Sequence, residues 1–129
     1  MTLIADKETG AVLARLKEAI ANAGYSLRGL ATESIRLELE PPESIIHSVL
    51  SETLSRNTGR NFYLQRLFAI CKIINIHPAE VIFGEDAGLA VQAMERLPAN
   101  ERAEILRDME QRLSHHRATA QLRARLRER

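Results

Sequence analysis

Two arginines, two asparagines, a threonine and a glycine stand together in Arg56-Asn57-Thr58-Gly59-Arg60-Asn61. Guanidinium groups bring charge to a phosphate oxygen, and amide and hydroxyl groups add further donors, so the segment suits oxyanion binding. A plain surface loop is the other reading of the same residues. Just before it, Ser44, His47, Ser48, Ser51 and Glu52 form a polar set at helical spacing, short of Arg and Lys. Hydroxyls donate or accept. His47 is the one large polar group among them and donates most strongly as an imidazolium. An ordinary solvated helix face is the alternative here.

Other constellations carry less. His115 and His116 lie near Glu110, but adjacent side chains on a helix point about 100° apart. No Cys or carboxylate set completes four ligands, so no metal is expected. His47 and Ser48 are too close in sequence to act as a catalytic pair, and no Ser/His/Asp arrangement assembles. Neither G-x-G-x-x-G nor G-x-x-x-x-G-K-(S/T) occurs. No enzymatic activity and no cofactor are expected. Three Phe, two Tyr and no Trp make no aromatic platform for single-stranded nucleic acid. The single cysteine, Cys71, reads as a small core residue and fits a reducing cytoplasm.

Helical apolar patterns must position these groups, and the expected fold class is all-α. Residues 1–10 are polar, end in Gly10 and read as a flexible arm, with no apolar run long enough for a signal peptide. Ala11 to Ala23 carries the stripe Val12, Leu13, Leu16, Ala19, Ile20 and Ala23, and Gly24 stops it. Ser26 caps a second helix with Leu27, Leu30 and Ala31 facing inward. From Thr32 to Pro42, with Glu33, Glu38, Glu40 and Pro41-Pro42, either that helix continues to about Leu39 or a loop is inserted. Pro42 to about Ser55 reads as a third helix with Ile45, Ile46, Val49, Leu50 and Leu54 inward. Phe62, Leu64 and Leu67 re-enter the core. Leu67, Ile70, Cys71 and Ile74 follow the i, i+3, i+4, i+7 rule. Asn75 breaks that run and Ile76 plugs the turn. His77 is the boundary of a short helix with Pro78 at its first position, where a missing N–H costs nothing, and Val81, Ile82 and Phe83 turn inward.

After Phe83 the composition changes. Gly84-Glu85-Asp86-Ala87-Gly88 reads as a hinge between a unit at 11–84 and a C-terminal unit at 89–129. Leu89 to Leu97 is a short helical pattern. Pro98-Ala99-Asn100-Glu101 starts a further helix, capped by Asn100 or a neighbour. Its stripe is Ile105, Leu106, Met109 and Leu113, with Leu122 and Leu126 as possible continuations, and residues 117–129 are expected to fray.

At 129 residues one domain is the prior, with room for an appended helix. A chain of this size buries roughly two thirds of its unfolded surface and needs no metal or disulfide staple. No stretch approaches ~18 continuous apolar residues, so no membrane span is expected. The net charge of +1 is unevenly spread. Residues 1–111 hold 12 Lys/Arg and 16 Asp/Glu, whereas residues 112–129 hold six Arg and only Glu128. The body is mildly acidic and the tail basic.

Two stretches resemble the five-helix DNA-binding domain of the Cro and lambda-repressor-like family. Leu67, Ile70, Cys71, Ile74, Ile76, Pro78, Glu80 and Val81 match its closing pattern, L-x-x-I-A-x-x-L-x-(V/I)-x-P-x-E-(L/V), with Cys71 where the family prefers Ala. The helix ending at Gly24, followed by Ser26-Leu27-Arg28-Gly29-Leu30-Ala31, is similar to its first two helices and to the same segment of Ner-type phage regulators. The resemblance departs from the family between helices two and three, where the usual turn is about three or four residues and this chain holds about ten more.

The resemblance implies sequence-specific binding of double-stranded DNA by a cytoplasmic, nucleoid-associated transcription regulator. Ser44, His47, Ser48 and Ser51 would then meet base edges from the third helix. Arg28, Arg56, Asn57, Thr58 and Arg60 would meet phosphates. A homodimer is implied, because one module reads only a few base pairs and two-fold pairing suits a palindromic site. Appended helices often pair subunits in such regulators, which assigns that part to Ile105, Leu106, Met109 and Leu113. The rival expectation is an interaction module, with the fold kept, DNA binding lost and the C-terminal helices docking a protein partner. The acidic 33–43 segment and the Arg-poor third helix favour it.

Overall fold

Three helices end in the same way, and those ends set the path of the chain. They are α1 (Asp6–Asn22), α2 (Leu27–Arg36) and α4 (Leu64–Ile73). Two residues beyond each, the backbone turns left-handed, at Gly24 (φ +81°), Glu38 (φ +56°) and Asn75 (φ +59°). The next residue's N–H then reaches back five positions. Tyr25 donates to the Ile20 carbonyl at 3.2 Å, Leu39 to Ser34 at 3.1 Å and Ile76 to Cys71 at 2.9 Å. These are Schellman closures, which satisfy helix carbonyls and fold an apolar residue back against the helix. Tyr25, Leu39 and Ile76 are each half-buried there.

The computed structural model describes residues 5–56 and 62–128, and these contain helices and no strand. Besides the three above they form α3 (His47–Arg56), α5 (Pro78–Phe83), α6 (Glu85–Glu95) and α7 (Ala99–Arg127). The chain divides into two compact units, Met1–Gln92 and Ala93–Arg129. In the first, α1 packs on α3 and α5, α2 on α3 and α4, and α4 on α5. Leu13, Leu16 and Ile20 of α1, Leu30 of α2, Leu50 and Leu54 of α3, and Leu67, Ile70 and Cys71 of α4 close one core with Val81 of α5. Cys71 is fully buried, and desolvation, with the nearby Glu80 carboxylate second, pushes its thiol up to about 11.

Polar ties lock the short helices to this core. Ser26 caps α2, its hydroxyl oxygen accepting from the Gly29 N–H at 2.9 Å. His77 caps α5 through Nδ1, which accepts from the Ala79 N–H at 3.0 Å, with Pro78 at the first helical position. At the other end of α5, Arg15 donates from Nε to the Val81 carbonyl and from a terminal nitrogen to the Ile82 carbonyl, both at 2.6 Å. A six-residue helix has few internal bonds, so a cation on its last carbonyls matters.

Several boundaries differ from expectation. The first helix begins at Asp6, so residues 6–10 are helix rather than arm; Asp6 and Glu8 in its first turn complement the dipole and offset Gly10. Residues 1–4 lie outside the described part. α2 stops at Arg36, so the extra residues form a loop and not an extension. The hinge expected at 84–88 is a single residue, Gly84 (φ +92°), after which α6 starts at once. Gly88 is buried inside α6, where an added Cβ would stand 2.5 Å from the Glu80 Cα. That glycine lets α6 lie against α5 and is not a flexible joint. The last helix is N-capped by Pro98 rather than Asn100, and it stays helical to Arg127 instead of fraying from 117. No helix of the described residues is long and apolar enough to cross a membrane.

Candidate nucleic-acid interface

Residues 37–46 decide how α3 is presented. The Ser34 hydroxyl, buried on α2, accepts from the Ile45 N–H at 2.9 Å. Ile45 is itself buried in the core. One residue earlier, the Ser44 carbonyl accepts from Arg66 Nε at 2.8 Å, and Arg66 is largely buried with its guanidinium 5.8 Å from the Tyr63 ring centre. A turn at Glu40, whose carbonyl accepts from the N–H groups of Glu43 and Ser44, and a cis Pro41-Pro42 bond complete the loop. The long connection is therefore an ordered strap, closed onto α2 at Leu39 and tied to both α4 and α2 at Ser44 and Ile45.

These ties set where α3 starts and which way it faces. The helix begins at His47, five residues after the expected Pro42. Ile45 and Ile46 belong to the strap and do not set the phase of the helix. Leu50, Thr53 and Leu54 are its buried positions, while Val49, expected inward, is exposed. The outward stripe is Ser48, Glu52 and Ser55, at i, i+4 and i+7. Of the four side chains expected to share one face, Ser48 alone stands fully exposed. His47 is half-buried on the first turn. Ser51 is half-buried and lines a cavity of about 300 Å³ with Lys17, Ile20, Tyr25, Leu27 and Leu54. Ser44 lies outside the helix. The four residues thus do not form a common surface, because the strap rotates the helix relative to the phase that Ile45 and Ile46 imply.

Arg28 is exposed on the first turn of α2, beside the Ser26 cap, and Thr32 donates to its carbonyl. At the far end of α2, Arg36 pairs with Glu33, and this bond holds the Glu33 carboxyl below its ordinary range. Arg56 is the last residue of α3, and Asn57, Thr58 and Arg60 lie outside the described residues. Sequence reasoning missed Ser34, Arg66 and Arg15. Their partners lie 11, 22 and 66 residues away, so no local pattern marks them.

Several large apolar side chains stand open near this site, with Ile35 77 % exposed on α2 and Ile46 54 % exposed on the strap. In the second unit α7 buries no residue. Ile105, Leu106, Met109 and Leu113 are all exposed along one side of it. Leu122 and Leu126 do not extend that stripe: nine residues separate Leu113 from Leu122, which is two and a half turns and the opposite side. The His115 and His116 rings meet edge-on, 6.3 Å between centres. Among the described residues no group of three or more His, Cys, Asp or Glu could hold a metal ion.

Compared with known proteins, the chain matches no family profile, no curated sequence and no solved structure.

Proposed function

We propose that the first unit is a five-helix, lambda-repressor-like helix-turn-helix domain that binds double-stranded DNA, and that the protein acts as a homodimeric transcription regulator. The observation that carries this reading is the α2–α3 pair. α3 is clamped against α2 by the Ser34–Ile45 tie and the Leu50 and Leu54 contacts, and its outward edge is exposed. Ser48 on that edge offers a hydroxyl to base edges, and the Ser55 hydroxyl, which donates to the Glu52 carbonyl at 3.2 Å, keeps its acceptor side. Arg28 at the start of α2 is open to a phosphate, Arg56 ends α3, and Arg60 follows it in the sequence.

The experiment is selection of bound duplexes from a random pool, followed by titration of the winner and a scrambled duplex across a salt series. DNA binding of this kind weakens steeply with salt. Arg60→Ala should weaken both duplexes alike and flatten the log–log salt slope by about 0.9. No enriched sequence, and no salt-dependent binding to either duplex, would sink the reading.

A second reading, a protein-interaction module on the same fold, is favoured by one specific observation. Over His47–Ser55 the outward edge of α3 carries Glu52 and no Lys or Arg, and Val49 on the same helix, Ile46 on the strap and Ile35 on α2 stand exposed. An acidic, apolar edge suits a protein surface better than a phosphate backbone. Selection without enrichment would leave this reading in place.

A further inference from the structure

The charges of α7 are sorted along its length. From Glu101 to Glu110, four carboxylates (Glu101, Glu104, Asp108 and Glu110) outnumber Arg102 and Arg107. From Arg112 to Arg127, five arginines stand with no carboxylate at all. The helix dipole does not account for this sorting, because its influence fades within the first and last turns. Asp108, Glu110, Arg112 and Arg117 sit in the middle of a 29-residue helix. Across that middle runs the exposed stripe of Ile105, Leu106, Met109 and Leu113. The helix thus has an apolar stripe that begins within an acidic half and ends in a basic one.

We infer that α7 pairs with the α7 of a second copy in antiparallel order, about a two-fold axis at Met109, the centre of the stripe from Ile105 to Leu113. Only that order sets the carboxylates at the start of the helix against the arginine-bearing half of the partner, near its Arg112 and Arg117. Parallel pairing would align five arginines with five arginines and four carboxylates with four carboxylates, which is repulsive in both halves. An isologous contact needs one self-complementary patch, and a helix with a central stripe and oppositely charged ends meets that need. The inference rests on the dimer part of the preceding reading and not on DNA binding.

The test uses the full chain with one nitroxide label per protomer, attached at Met109→Cys or at Ala124→Cys, and pulsed electron resonance to measure the label-to-label distance. Cys71 is buried and its thiol is pushed up, so it should take no label, which the unsubstituted chain checks. Antiparallel pairing predicts labels at 109 within about 15 Å of each other, given helix separations of roughly 8–10 Å. It predicts labels at 124 about 45 Å apart, from a rise of roughly 1.5 Å per residue. Sedimentation should also show dimerisation weakening by about three-fold or more between roughly 0.05 and 0.5 M salt, since the opposed halves attract and salt screens them. A short distance at 124, or association that tightens with salt, would mean parallel pairing and overturn the inference. A dimer with labels at 109 far apart would overturn it too while leaving the dimer itself standing. A monomer at all accessible concentrations would remove both.

Discussion

Cys71 has the clearest titration consequence of any single residue. Its thiol is buried, and its proton is held to about pH 11 instead of the ordinary value of 9.0. Below pH 9 the folded and unfolded chains both keep that proton, and the residue adds no pH dependence. Between about 9 and about 11 the unfolded chain releases it while the folded chain does not, so stability falls as pH rises through this window. The full loss is about 2–3 kcal/mol, from roughly 1.4 kcal/mol per pH unit. Urea midpoints at pH 8 and pH 10.5 should therefore drop further for the wild type than for Cys71→Ala; equal drops would show that the thiol does not stay protonated in the fold.

His47 poses a sharper question at the same scale. If DNA lies along α3, its imidazole is the largest polar group on the first turn. His47→Ala should then cost about 1–3 kcal/mol on a selected duplex and much less on a scrambled one. Its half-burial leaves a simple competitor, packing against the strap. Equal losses on both duplexes, or none on either, would assign it that structural part.

Between elements, what could be read in advance depended on how far apart the partners lie. The Ser26 cap and the His77–Pro78 start are local signals, and both stand where the spacing predicted them. The phase of α3 is not a local property. It follows from Ile45 bonded to Ser34 and Ser44 bonded to Arg66, so an apolar pattern read through Ile45 and Ile46 rotated the helix and gathered Ser44, His47, Ser48 and Ser51 onto one face. Glu38 hid the end of α2 for a similar reason, since nothing in its type announces a left-handed backbone. Gly88 misled in the opposite direction. Its glycine-rich surroundings suggest a joint, and it is instead a contact, with the α5 backbone where a side chain would begin. Gly88→Ala should therefore destabilise the first unit by about 1–3 kcal/mol, the usual cost of overpacking. The intrinsic helix preference of alanine would predict a gain of up to about 1 kcal/mol. The sign of the shift in a thermal melt decides between them.

For the whole molecule, the division at Gln92 and Ala93 falls inside α6, downstream of the glycine-rich segment that composition singles out. A cut after Gly84 would strip Gly88 and its surroundings from α5. A fragment ending at Gln92 keeps that contact. It should melt cooperatively, with a midpoint close to that of the first unit in the full chain, and it should sediment as a monomer if α7 carries the pairing surface. A fragment that stays dimeric at micromolar concentration would move that surface into the first unit.

The strap between α2 and α3 carries a consequence for how this chain tolerates change in length. Its two ends are fastened, at Leu39 by the helix closure and at Ser44 and Ile45 by Arg66 and Ser34, while Glu40, Pro41 and Glu43 face solvent. The segment between the fastenings does not measure the distance from one helix to the next. Doubling a loop's length costs only about 0.6 kcal/mol in closure entropy. A short glycine-serine insertion there should leave the helical circular-dichroism signal and the packing of Leu50 and Leu54 unchanged, whereas the same insertion after Ile45 should not. The strap is the position at which this fold can absorb extra sequence, a permissive site lying next to the surface proposed to read DNA.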